Sequence, residues 1–384
     1  MTTDLSIGVL NKRHARIAVS ALFFLSGLCF ASWASRIPDL QQALHLSEAG
    51  LGGVLLALPL GSIISLPVAG VLVARFGSRQ VVIIAASLYA AILPTLGLAQ
   101  TPWQLIMCLV LFGFTGNLTN ISMNTQAVAV ESMYGRSIMA SFHGLWSVAG
   151  FTGAAVGAAM AALKMAPYQH FLLITVVAWV IVGATMRHIV TQDVNVQEQQ
   201  PLFSKPDRFL LTLGIIAMCA MICEGTMFDW SGVYFKKIVK VGEGLEGAGY
   251  AAFMSTMAFG RFVADWLTTR MGVKRMLQVS GLLTAVGLLI AVVFPYFTTA
   301  IIGFLLVGAG ISAVVPLIYS AAGRSKVLSP GMALATVSTI GYLGFLCGPP
   351  LIGFVAQASS LAVSFSLIAV MGVAVAAMAS RLKV

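Results

Sequence analysis

In a chain of 384 residues, 59% are hydrophobic and only 9% charged, with a mean hydropathy of +0.96; soluble domains carry roughly 25% charged residues, so a water-facing surface is excluded. The formal net charge of +10 does not indicate nucleic acid, because Lys and Arg stand singly or in pairs between apolar blocks instead of clustering among polar neighbours. The blocks are long and continuous, unlike the short alternations of a β-barrel, which leaves helices that satisfy their own backbone groups in lipid.

The first apolar run, 15–35, follows Lys12, Arg13 and Arg16, as in a secretory leader. It is too long for a leader's apolar core and further runs follow, so it is expected to remain as the first anchor. A helix crosses the hydrocarbon layer in about 20 residues. Runs of that kind fall at 15–35, 48–74, 79–98, 102–131, 137–163 and 169–190, then at 209–235, 247–270, 274–294, 298–323, 331–357 and 361–380. Between the two sets, 191–208 contains Gln197-Glu198-Gln199-Gln200 and Pro201, with too few apolar residues for a core of its own. The expected fold is an all-α integral membrane protein of twelve transmembrane helices. It divides into two six-helix halves, 1–190 and 209–384, joined by a linker over 191–208.

Positive residues set the orientation. With the N-terminus in the cytoplasm, that side receives sixteen of the 22 Lys and Arg residues, Arg75, Arg79, Arg187, Arg208, Arg270 and Arg381 among them. The other side receives Arg36, Lys164, Lys236, Lys237 and Lys240, and Arg261 is left within a run. Both termini are therefore expected to be cytoplasmic.

The loop after the second run reads Arg75-Phe76-Gly77-Ser78-Arg79, and the loop after the eighth reads Arg270-Met271-Gly272-Val273-Lys274. One R-x-G-x-[RK] motif means little, but two copies six helices apart form an internal repeat. With this signature in both loops the chain resembles the major facilitator superfamily over its whole length. Four segments are similar to a bacterial inner-membrane branch related to the fucose permeases and a rhizopine transport protein. They are Ala31-Ser32-Trp33-Ala34-Ser35-Arg36-Ile37-Pro38, His143-Gly144-Leu145-Trp146-Ser147, Glu224 with Asp229-Trp230, and Gly341-Tyr342 through Pro349-Pro350. The resemblance implies the major facilitator fold and secondary transport by alternating access. Two departures stand out. Ala74 occupies the place of the acid that precedes the family's first-half Arg, which leaves that loop's charge relay incomplete. The fifth run, with Gly150, Gly153 and Gly157, lacks the Gly-Pro of the drug/proton antiporter signature, which counts against drug efflux.

Ionisable side chains inside a span are rare and costly, so each is a functional candidate. Glu224, in the middle of the seventh run, is the leading proton-coupling residue, because a carboxylate there can exchange its charge for a proton as solvent access alternates. Asp229 and His143 are further coupling candidates. Asp229 is expected to touch solute, to pair with Arg36 at the same depth, or to sit at the interface beside Trp230. His143 shares a helix face with Trp146 and Ser147, where it would relay a proton, bond solute or be satisfied structurally.

Asn117, Asn120 and Asn124, with Glu131, fall within a face roughly 60° wide on the fourth run. Amides both donate and accept, which suits hydroxyl-rich solutes, although the same stripe serves as interhelical hydrogen bonding. Thr119, Ser122 and Gln126 occupy the opposite face. Trp33, Arg36, Trp146, Trp230 and Tyr342, in the segments that carry the resemblance, and Thr339 close by complete the expected solute-binding set. Arg75, Arg79 and Arg270 are the expected gating residues of the loops. Arg261 and Asp265, spaced i, i+4, are also gating candidates: they are expected to form a plain intrahelical ion pair at the cytoplasmic end, or a pair that locks one conformation shut and partly replaces the acid missing at Ala74. Pro349-Pro350 is expected to bend the eleventh span.

The five cysteines, Cys29, Cys108, Cys219, Cys223 and Cys347, all lie in apolar runs and read as small core residues rather than a disulfide or metal set. No nucleophile and base or ligand cluster suggests an enzyme, and no cofactor or metal is expected. The expected function is proton-coupled uptake of a small polar solute of sugar or polyol type by a monomer in the inner membrane, with lipid around it. The alternatives are proton-antiport efflux of drugs or metabolites, and a sensor built on a transporter fold.

Overall fold

The computed structural model describes residues 12–134, 138–191, 207–322, 325 and 330–382. In chain order the helices are α1 (Lys12–Ser35), α2 (Ile37–Ala43), α3 (Glu48–Leu55), α4 (Ala57–Leu98), α5 (Pro102–Tyr134), α6 (Met139–Ala162) and α7 (Pro167–Thr185). They continue as α8 (Arg208–Tyr234), a π-helical turn (Phe235–Val239), α9 (Ala248–Met271), α10 (Val273–Val293), α11 (Phe297–Ile311), α12 (Val314–Ala322), α13 (Pro330–Ala358) and α14 (Leu361–Ser380). Most of the expected linker, 192–206, lies outside the described residues, as does Arg136.

Eleven spans among the described residues are long and apolar enough to cross a membrane. α3 and the start of α4 make one of them, the rest of α4 a second, and α11 with α12 another. α9 is 24 residues long and does not reach that hydropathy, because Arg261, Asp265 and Arg270 dilute it. Counted with α9, the spans are the twelve expected from the apolar runs.

The repeated loop motif has a backbone counterpart. Gly77, where α4 breaks, has φ 78° and ψ 151°, and Gly272, between α9 and α10, has φ 78° and ψ 154°. Only glycine adopts that conformation without strain, so the two motifs turn the chain alike. Arg79 Nη2 then donates to the carbonyl of Met186 at 3.2 Å, fastening the first loop to the end of α7.

Each set of six spans has its own packing. In the first, Phe23 stacks on Phe142 and Tyr89 on Phe112. In the second, Tyr234 stacks on Phe365 and reaches Phe304, while its hydroxyl donates to the carbonyl of Ala291 at 2.9 Å. The sets meet along two seams. On the face opposite the chain ends, α3 crosses α13 so closely that a Cβ on Gly52 would lie 2.7 Å from the Pro349 carbonyl and 3.1 Å from Gly353 Cα. Along the other seam, between α6 and α9, Gly247 lies against Ala158 and Gly150 against the end of Met254. Ionic contacts reinforce that far face. Lys237 pairs with Glu48 at 2.7 Å, Lys164 with Glu243 at 3.2 Å, and Lys236 donates to Gln42 at 2.6 Å.

Candidate functional site

A cavity of about 640 Å³ lies between the two sets of spans. It is covered by the contacts of the far face and reaches Met139, the first residue of α6, on the side that carries the chain ends. Its first-half wall comes from α1, α4, α5 and α6 through Phe23, Phe30, Tyr89, Asn117, Asn120, His143 and Trp146. Its second-half wall comes from α8, α9, α12 and α13 through Glu224, Phe228, Asp229, Arg261, Tyr319, Tyr342 and Phe345.

At the centre is a three-residue bridge. Glu224 is 7% exposed, and its Oε1 lies 3.4 Å from Arg261 Nη2. The other guanidinium nitrogen, Nη1, donates to Ser147 Oγ across the seam at 2.6 Å. Ser147 is buried, and its hydroxyl donates to the His143 carbonyl at 3.2 Å. The guanidinium also sits 6.0 Å from the centre of the Trp146 ring, within cation–π range. A charge-assisted hydrogen bond in a site shielded from water is stronger than a neutral one, and a buried carboxylate needs such a partner.

An aromatic cluster lies beside the bridge. Phe228 approaches Phe30 at 5.3 Å, Trp146 at 6.1 Å, Tyr250 at 6.0 Å and Phe253 at 5.8 Å, each edge to face. Asp229 lines the cavity next to it, and among the described residues no hydrogen bond or ion pair engages its side chain. The His143 ring rests edge-on against Phe23 at 5.2 Å.

The asparagine stripe divides. Asn117 and Asn120 line the cavity, and Asn117 Nδ2 also donates to the Ser62 carbonyl at 3.0 Å and to Ser65 Oγ at 2.7 Å. Asn124 turns back onto Asn120, donating to its carbonyl at 2.8 Å, and is not a wall residue. The opposite face packs inside the first half, where Gln126 donates to Ser78 Oγ at 2.7 Å. Glu131 accepts from the backbone N–H groups of Ile138 and Met139 at 2.7 and 2.9 Å and so caps the start of α6.

Several expectations are corrected by the geometry. Arg36 does not pair with Asp229. It is buried against its own half, with Nε on Asp39 and Nη2 donating to the Met165 carbonyl at 2.7 Å, because α1 ends facing α7. Trp33 and Trp230 are not cavity walls. They are buried in the core at 1% and 0% exposure, and neither indole N–H has a partner among the described residues. Thr339 is exposed on α13 and outside the lining. The side chain of Asp265, and with it the expected pair with Arg261, lies outside the described residues; among those described, the acid that Arg261 meets is Glu224 on α8. Arg75 lies over Phe76 at 5.3 Å and Arg270 over Trp266 at 4.2 Å, both contacts within their own half, and their gating role remains a proposal. Pro349 and Pro350, where a bend is expected, both lie inside α13.

Sequence reading missed Ser147 as Arg261's partner, and Phe30, Phe228, Tyr319 and Phe345 as wall residues. An aromatic side chain in an apolar run looks the same whether it faces lipid, core or cavity, so no signal marked them. Among the described residues no group of three or more His, Cys, Asp or Glu is placed to hold a metal.

The model of the Major Facilitator Superfamily matches residues 19–326 and again 247–383. An MFS-type transporter of Yersinia pestis is 36% identical over 372 residues, covering 97% of this chain and 96% of that protein. The membrane protein MosC of Rhizobium meliloti is 30% identical over 370 residues, covering 95% and 89%. Among solved structures, the nucleoside transporter NupG superposes with a TM-score of 0.77 at 13% identity, covering 96% and 100%. The E. coli fucose:proton symporter FucP superposes with a TM-score of 0.61 at 18% identity, covering 96% and 98%. Twelve spans, a repeated loop and a cavity between two sets of helices thus coincide with matches over nearly the whole chain, which belongs to the Major Facilitator Superfamily as a multi-pass membrane transporter.

Proposed function

We propose that this transporter couples proton entry to uptake of a small, polar, ring-shaped solute of sugar or polyol type. In this reading it works as a monomer in a bacterial inner membrane, with both chain ends in the cytoplasm. The observation that carries the reading is Glu224, a carboxylate in the cavity wall whose counter-charge, Arg261, also holds the other half. An acid so placed changes charge state at a cost that depends on which side has water, so protonation and the exchange of access share one free-energy cycle. Asn117 and Asn120 supply donors and acceptors for hydroxyls, and Trp146 and Phe228 supply faces for a ring. Solved proteins of the same fold include a fucose:proton symporter. The many aromatic wall residues favour a second reading, antiport efflux of a more apolar compound.

Purified protein in vesicles, screened with sugars, polyols and apolar drugs with and without a pH gradient, separates the two. Glu224→Gln, a permanent mimic of the protonated form, is expected to keep counterflow exchange and to lose gradient-driven accumulation. Undiminished accumulation would falsify the coupling role of Glu224.

A further inference from the structure

The polar link between the halves at cavity depth does not end on an acid. Arg261 belongs to α9, its acid Glu224 to α8 of the same half, and the residue it grips across the seam is the hydroxyl of Ser147 on α6. The spacing is uneven: 2.6 Å to Ser147 against 3.4 Å to Glu224, the latter at the limit of a hydrogen bond. Ser147 is fully buried, and its own proton is committed to the His143 carbonyl one turn earlier. Its oxygen lone pairs are therefore aimed outward as a fixed acceptor. Among the described residues, the guanidinium without that acceptor has only the Glu224 carboxylate as a polar partner.

We infer that Ser147 is a positioning residue for coupling: it holds Arg261 at the seam, so that the charge of Glu224 bears on the contact between the two halves. This rests on the proposed coupling role of Glu224. Of the other titratable groups about the pair, His143 faces Arg261 from α6, while Tyr250, Tyr319 and Tyr342 face Glu224 from α9, α12 and α13. Cys219, Cys223 and Asp229 lie on the acid's own helix. None of them is placed across the seam as a counter-charge for Arg261.

The test uses Leu58→Cys, a cavity-wall position, in a full-length background depleted of other cysteines. A membrane-impermeant thiol reagent is applied from the far face, and the labelling rate reads opening of that face. Ser147→Ala removes one charge-assisted bond and is expected to raise the rate about tenfold, while Ser147→Thr, which keeps the hydroxyl, restores it. Because both residues act through Arg261, Ser147→Ala combined with Glu224→Gln should exceed the larger single effect by less than twofold. A rate unchanged by Ser147→Ala, failure of Thr to restore it in well-folded protein, or multiplicative effects in the double variant each overturn the assignment. Faster labelling in Ser147→Ala together with undiminished accumulation by Glu224→Gln upholds the positioning role and removes only the coupling.

Discussion

Lys237, in the π-helical turn after α8, and Glu48, at the first turn of α3, form a 2.7 Å ion pair that joins the two halves on the far face. Both side chains are partly exposed, so the pair contributes about 0.2–1 kcal/mol to closure and weakens with salt. Lys237→Ala is expected to raise far-face labelling of Leu58→Cys by roughly 1.4- to fivefold, as that energy implies. Added salt should do the same to the parent protein and less to the variant. Labelling that ignores both would make the pair an incidental surface contact.

Gly52 carries more of the closure than any surface charge. A methyl group there would press on the Pro349 carbonyl and Gly353 Cα, backbone atoms that cannot swing aside. Overpacking of this kind costs about 1–3 kcal/mol. Gly52→Ala should therefore open the far face more than Lys237→Ala does and reduce solute uptake roughly tenfold. Retained uptake at the parent's rate would show that the halves do not need this crossing to close.

Asp229 and Glu224 both line the cavity, but only Glu224 is tied to the other half through Arg261. Asp229→Asn is expected to raise the KM for solute about tenfold, the effect of losing one hydrogen bond to a charged group, with the accumulation ratio at saturating solute unchanged. Loss of accumulation in Asp229→Asn would transfer the coupling role to that residue.

Orientation has a direct check. Phe76, beside the break in α4, and Leu245, between the π-helical turn and α9, are both about half exposed and lie on opposite sides of the twelve-span arrangement. Cysteines at these two positions should label from opposite sides, with Phe76→Cys on the cytoplasmic side. Labelling of both from one side would contradict the helix order.

The spans were readable because lipid imposes one rule on the whole length of a helix. The apolar runs at 102–131 and 361–380 reappear as α5 (Pro102–Tyr134) and α14 (Leu361–Ser380). Gly77 and Gly272 were readable for a similar reason, since a positive φ leaves a residue-type signature. Side-chain partnership has no such signature. Arg261 stands four residues from Asp265, and that adjacency is all a linear chain displays. Among the described residues its acid, Glu224, is 37 residues away and its hydroxyl, Ser147, 114. Trp33 and Trp230 mislead in the opposite way, because a tryptophan near a helix end reads as a ring platform or belt residue, while here both fill the packed core.

α9 has a consequence for how the protein is made. An arginine near the middle of a helix raises the free energy of membrane insertion by about 2.5–3.5 kcal/mol, and α9 contains both Arg261 and Asp265 in a segment of modest hydropathy. Emerging alone from the ribosome, such a segment partitions poorly. Synthesis runs from the N-terminus, so α6 with Ser147 and α8 with Glu224 are made before α9. The guanidinium then enters a bilayer that already holds its hydroxyl and its carboxylate. Biogenesis of the second half thus leans on the first, and a chain beginning at α8 should leave α9 partly outside the membrane.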